Sequence, residues 1–166
     1  GVYRPATVDA DLVPQYVHVN GRITQVDSVA PDRMPARRDA AAGVGPRREL
    51  PARAGALVDV PLGAFVGTRS GDKGGDANLG VYARNDAGWA WLDTELTVER
   101  LRELLPETAA LAVDRHRFPN LRSLNFVIHG LLQEGVAAST RQDAQAKALG
   151  EWLRARRVSV PRSVVD

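Results

Sequence analysis

Leu57-Val-Asp-Val-Pro-Leu-Gly-Ala-Phe-Val66 opens the part of the chain that folds, because Val58, Val60, Leu62, Ala64 and Val66 alternate at a period of two. That period places successive side chains on opposite faces of a strand. A long Gly-rich loop, Gly67–Asn78, is expected next, then a second strand with Leu79, Val81 and Ala83 on one face. Asn85-Asp86-Ala87-Gly88 reads as a turn, and Trp89–Leu92 as a continuation of the sheet. Thr97 can cap a short helix whose buried stripe is Val98, Leu101, Leu104 and Leu105. Strands at about Leu111–Phe118 and Arg122–Leu132 follow, joined through Pro119-Asn120. A helix of roughly four turns, capped by Ser139 or Thr140, would turn Ala144, Ala148, Leu149, Trp152 and Leu153 inward. This order predicts an α+β fold, a ferredoxin-like sandwich of an antiparallel sheet with two helices on one face.

Upstream, Ala30–Ala56 holds 21 Ala, Arg, Pro or Gly among 27 residues. It has almost nothing large and apolar to offset the entropy of ordering it, so it reads as a linker. Before it, residues 16 to 27 read as a β-hairpin around Asn20-Gly21, a strong two-residue turn signal. An isolated hairpin is marginal in water. With Gly at position 1 and Met34 the sole methionine, residues 1–29 are expected to be the trailing hairpin of a larger N-terminal domain. Residues 30–56 are then a linker, and residues 57–166 the folded domain.

Bulk composition narrows the function. The chain has 166 residues, 44% of them hydrophobic and 25% charged, the range of one ordinary domain. With no cysteine, thiolate chemistry and disulfide scaffolds are out. No apolar run approaches the ~20 residues of a membrane span, and no signal peptide is visible, so the expected compartment is the cytoplasm. The net charge is +2, but the segment 30–56 alone carries six Arg against Asp32, Asp39 and Glu49. The folded part is therefore close to neutral and lacks the basic, aromatic face of a nucleic-acid binder. His18, His116 and His129 have no paired spacing, and no metal or cofactor is expected.

The chemistry concentrates in Gly67-Thr-Arg-Ser-Gly-Asp-Lys-Gly-Gly-Asp-Ala-Asn-Leu-Gly80, with five glycines among fourteen residues. Glycines allow positive φ and close approach to a ligand, and their amides can face an anion. Arg69 offers a planar fork to a carboxylate or phosphate, and Lys73 a point charge or a base. The competing reading is structural, with Asp72 and Asp76 pairing with Arg69 and Lys73 in a rigid loop. The spacing is not that of a phosphate-binding Walker loop or a dinucleotide fingerprint. On the strand Arg122–Leu132, Asn125 and His129 point the same way. They are read either as pocket lining, with His129 an acid or base, or as internally bonded groups. Catalytic candidates are thus Lys73, Asp72 and His129. Substrate-binding candidates are Arg69, Ser70, Gly71, Gly74, Asp76, Asn78 and Asn125.

The run Thr68-Arg-Ser-Gly-Asp-Lys-Gly-Gly-Asp-Ala-Asn-Leu-Gly-Val81 resembles the signature of the small C-terminal domain of the AtuA, or acyclic terpene utilisation, family. Pro119-Asn-Leu-Arg-Ser-Leu-Asn-Phe126, Gly130-Leu-Leu132, Gly135-Val136 and Arg141–Leu149 continue the resemblance in order, over about Val58 to Val160. It implies a ferredoxin-like domain following a larger N-terminal domain or subunit, in bacterial breakdown of citronellol- or geraniol-type terpenes alongside acyl-CoA enzymes. Two functions stand on it. One is an anion-holding loop completing a site for a small carboxylate or acyl-CoA; the other is a non-catalytic module docking on a larger domain or subunit. Homo-oligomerisation is compatible with both.

Overall fold

The computed structural model describes residues 6–27 and 56–166. The segment read as a linker, 30–56, lies outside the described residues except for Ala56. The chain divides into two compact units, one holding the N-terminal hairpin and the other holding everything from Ala56 onward. In the first, β1 (Gln15–Val19) pairs antiparallel with β2 (Arg22–Val26). Asn20 and Gly21 both take positive φ, +49° and +74°, as a type I′ hairpin turn requires. Every residue of both strands is exposed.

In the second unit β3 (Leu57–Pro61) pairs with β8 (Arg157–Pro161), while β4 (Val66–Lys73), β5 (Asp76–Ala83), β6 (Val113–Phe118) and β7 (Ser123–Ile128) form a four-stranded sheet. Its order is β4-β5-β7-β6, and every neighbouring pair is antiparallel. Three helices, α1 (Asp86–Glu95), α2 (Val98–Leu104) and α3 (Leu149–Ala155), replace the two expected. They pack against the sheet face that carries Leu79, Val81, Leu124, Phe126 and Ile128. Those side chains join Leu92, Leu96, Leu101, Leu149 and Leu153 in one core. Each large side chain so buried contributes about 1.5–3 kcal/mol.

Four expectations need correction. Period two does not run from Val58 to Val66; the strand ends at Pro61, and a 3-10 turn at Leu62–Ala64 separates β3 from β4. Trp89–Leu92 is helical, because the Asn85 side chain accepts from the Gly88 N–H at 2.7 Å and caps α1. Trp89, Leu92 and Leu96 then fall on one helical stripe in the core, and Trp91 meets Phe65 edge-on at 5.3 Å. The final helix has seven residues rather than four turns. Asp143 accepts from the Lys147 and Ala148 N–H groups in a local turn. Buried Ala146 adopts φ +52°, which a continuous helix cannot accommodate. Trp152 accordingly stays 41% exposed. β7 stops at Ile128, ahead of turns through Gly130 and Gly135. The Thr97 cap holds, accepting from Arg100 N–H at 3.2 Å.

A buried ion pair ties α1 to the edge strand β6. Asp93 is fully buried, and the Arg117 guanidinium donates to both of its carboxylate oxygens. Two residues along, Arg115 donates to the Leu96 carbonyl at 2.9 Å and the Asp93 carbonyl at 2.8 Å. Those bonds satisfy the carbonyls that the C-terminus of a helix leaves without partners.

Candidate functional site

The Gly-rich segment is not a loop. Gly67–Lys73 lies in β4 and Asp76–Gly80 in β5, joined by the two-residue turn Gly74-Gly75. Gly74 has φ +66°, and an added Cβ on Gly75 would lie 2.3 Å from the Gln133 carbonyl oxygen. The tip is therefore glycine because the turn and its packing on residues 130–135 demand it; the Leu132 N–H donates to the Gly75 carbonyl at 2.9 Å.

Antiparallel register then assigns each side chain to a face, since directly paired residues point the same way. One face is covered by helices. The open face presents Arg69, Gly71 and Lys73 from β4, and Asp76, Asn78, Gly80 and Tyr82 from β5. Opposite them stand Ser123, Asn125 and Val127 from β7, and Asp114, His116 and Phe118 from β6. Across β4 and β5 each larger side chain faces a glycine in three consecutive pairs, Tyr82 with Gly67, Arg69 with Gly80 and Asn78 with Gly71; the Tyr82 ring lies over Gly67 and leaves no room there for a Cβ. A Cβ on Gly71 would meet nothing nearer than 4.0 Å, and one on Gly80 nothing nearer than 3.5 Å. Neither has positive φ. Backbone geometry thus explains Gly74 and Gly75 but leaves Gly71 and Gly80 unexplained. What those two do is leave a floor without side chains between Arg69, Asn78 and Asn125.

The sequence candidates separate on this frame. Arg69, Gly71, Lys73, Asp76, Asn78 and Asn125 share the open face. Ser70 and Asp72 sit on the opposite face. The Ser70 hydroxyl accepts from the Gly150 N–H at 2.9 Å and donates to the Lys147 carbonyl at 3.2 Å, tying β4 to the start of α3. Gly74 belongs to the turn. Asn78 Nδ2 donates to Asn125 Oδ1 at 3.2 Å. Among the described residues, Asp72 and Asp76 form no ion pair with Arg69 or Lys73. The Lys73 ammonium donates to the Asp72 carbonyl at 2.8 Å. Arg69 is exposed and has no side-chain partner among the described residues. At the outer edge of β4 it borders a cleft of about 330 Å³ with Thr68, Ser70, Lys147 and Glu151.

His129 lies one residue past the end of β7, and its partners Asp76 and Asp114 stand on the open face with Asn125. Its Nδ1 sits 3.1 Å from Asp76 and its Nε2 2.9 Å from Asp114. The second Asp76 oxygen accepts from the Gly130 N–H at 2.8 Å. Hydrogen bonding to Asp114, and then to Asp76, raises the imidazole pKa above its ordinary value. The Gly130 N–H, with His129 after it, lowers that of Asp76. Two carboxylates, one at each ring nitrogen, favour the imidazolium, in which both nitrogens donate. This suits a clamp between β5 and β6 rather than a free base.

Asp114, His116, Tyr82 and Phe118 are open-face residues that sequence reasoning passed over. The alternation of Asp114, His116 and Phe118 within an expected strand was a usable signal for three of them. Lys147 at the cleft had none, because it reaches β4 only through the fold.

Together these features define an α+β domain whose antiparallel sheet is covered by helices on one face and polar and open on the other. The family model of the AtuA ferredoxin-like domain matches residues 60–159. The chain belongs to that family. No curated protein and no solved structure matches it significantly. Among the described residues, no helix is long and apolar enough to cross a membrane.

Proposed function

We propose that the open face of β4 and β5 is an anion-binding surface for a carboxylate or acyl-CoA substrate. The setting is the catabolism of acyclic, citronellol- or geraniol-type terpenes or related acyl-CoA compounds in the cytoplasm. The site would be completed by a larger AtuA-type domain or subunit. The observation that carries this reading is Arg69: an exposed guanidinium without a side-chain partner among the described residues, beside a glycine floor that neither strain nor crowding requires. A planar fork of this kind matches a carboxylate or phosphate in two hydrogen bonds. Lys73, four residues further along β4 on the same face, adds a second positive charge, while His129 and Asp76 hold the end of the sheet in place. In the full-length protein, Arg69→Ala should weaken ligand binding or activity about tenfold or more, as loss of a charge-assisted contact does. Arg69→Lys should recover only part of it. Unchanged specific activity in both variants would sink the proposal.

The alternative, a docking module, draws on Tyr82 and Phe118. These are 50% and 42% exposed, and both belong to the row Tyr82–Ser123–Phe118 on the open face. Exposed aromatics are typical anchors of a protein interface. If docking is the role, Tyr82→Ser with Phe118→Ser abolishes assembly with the partner while Arg69→Ala leaves it intact.

A further inference from the structure

Resting on the anion-binding reading, the Asn78–Asn125 pair adds the chemistry of the ligand's neighbouring group. Two carboxamides joined by one hydrogen bond have used one donor and one acceptor, here Asn78 Nδ2 and Asn125 Oδ1. The atoms left wholly unused are the amide oxygen of one residue and the amino group of the other, besides one further N–H and one lone pair on the bonded atoms, and reversing both amides exchanges the roles. Among the described residues neither remaining atom has a hydrogen-bond partner, and neither belongs to the buried atoms lacking one, so both reach the open face. The floor beside them is bare at Gly71, paired with Asn78, and at Gly80, paired with both Arg69 and Asn125. Neighbouring strands lie about 4.8 Å apart. Arg69 and Asn125 therefore stand on either side of Gly80, roughly two strand spacings from each other.

We propose that Asn78 and Asn125 bind a secondary amide of the ligand whose anionic group Arg69 holds. A secondary amide presents one N–H and one C=O, the complement of the donor and acceptor that the pair leaves free. It is also planar, and so lies flat on a floor made of glycine. The ligand class is an anion carrying an amide a short distance away. An N-acylated amino acid meets this description, and so does the amide-containing arm of a coenzyme A thioester.

The test compares two near-isosteres in titrations of the full-length protein: N-acetylglycine, and 4-oxopentanoate, in which a methylene replaces the amide N–H. The expected result is about fivefold tighter binding of N-acetylglycine, the effect of one net hydrogen bond. Asn78→Ala, which removes the acceptor for the ligand N–H, should bring the two affinities together; Asn125→Ala, which removes the donor to the C=O that both compounds carry, should lower both, as should Arg69→Ala. If the Asn78 variant folds poorly, the preference of the unaltered protein for N-acetylglycine decides the amide site. Equal affinities in the unaltered protein, with Arg69→Ala still weakening both, would overturn the amide site and leave the anion site standing. Binding of both compounds that is indifferent to Arg69→Ala would overturn the anion site as well. A third titration, with 4′-phosphopantetheine, supports a coenzyme A arm if it binds more tightly than N-acetylglycine and a small N-acyl acid if it does not.

Discussion

On the covered face of the four-stranded sheet, β5 and β7 bury Ala77, Leu79, Val81, Leu124, Phe126 and Ile128. On the opposite face the same two strands present Asp76, Asn78, Gly80, Tyr82, Ser123, Asn125 and Val127. The first set needs no explanation beyond the removal of apolar surface from water. The second set gains little from folding, and Gly80 weakens its strand relative to a residue with a side chain. A face that costs stability and lacks helical cover is where a binding role best accounts for the composition. The contrast also separates two kinds of charge. Arg117 is committed to buried Asp93, whereas Arg69, on the other side of the sheet, has no side-chain partner among the described residues.

The sharpest way to break this contrast is to disturb the committed charge. Arg117→Ala would leave Asp93 buried without its two-pronged partner, and removing one member of a buried pair costs about 3–5 kcal/mol. Chemical denaturation should show that loss, and whatever protein stays folded should keep its affinity for ligand. Next in size is a contrast within the glycines. Gly75→Ala pushes a Cβ to 2.3 Å from a carbonyl oxygen and should cost more than about 1 kcal/mol. Gly80→Ala has room for its methyl group, so it should leave stability level or raise it slightly while weakening ligand binding. Equal melting shifts for these two variants would remove the case for a functional floor.

The His129 clamp yields a smaller effect that depends on pH. Its folded pKa is raised, so its contribution is complete below the ordinary value of 6.5 and fades as pH rises through the folded value. Asp76 is shifted down, so its contribution is present above 3.8 and is lost as pH falls through the folded value. The clamp is therefore strongest between those two ordinary values. Melting temperature measured from within this range to pH above it should fall on the alkaline side, and His129→Asn should flatten that limb. The smallest expected effect on stability is that of Arg69→Lys, within about 0.5 kcal/mol. A larger melting shift would mean that Arg69 is committed after all.

Much of the fold in both units was legible because its signals are local. The inward residues of β7 follow from the alternation of Leu124, Phe126 and Ile128, the α2 cap from Thr97, and the N-terminal turn from Asn20-Gly21. The errors arose where local signals competed. Trp89-Ala-Trp-Leu92 alternates in a strand-like way, but the Asn85 cap and the spacing of Trp89, Leu92 and Leu96 favour a helix. The glycines of 67–80 imitate a loop, yet only Gly74 and Gly75 turn the chain; the others sit within strands, where pairing compensates for their low strand propensity.

Residue chemistry and order along the chain were thus sufficient for the fold class, the family and the segment that carries the candidate site. They reflect side-chain type, short-range periodicity and motif spacing, all of which are properties of the chain before it folds. Tertiary structure decided which candidates share a face. A strand assignment that differs by one residue moves every side chain to the other side of the sheet. Pairing of β4 with β5 placed Arg69 and Asn78 on the open face and turned Ser70 and Asp72 to the other side. The Asp76–His129–Asp114 clamp and the Asp93–Arg117 pair join residues far apart in sequence, so only the packing of the sheet and helices could bring them together.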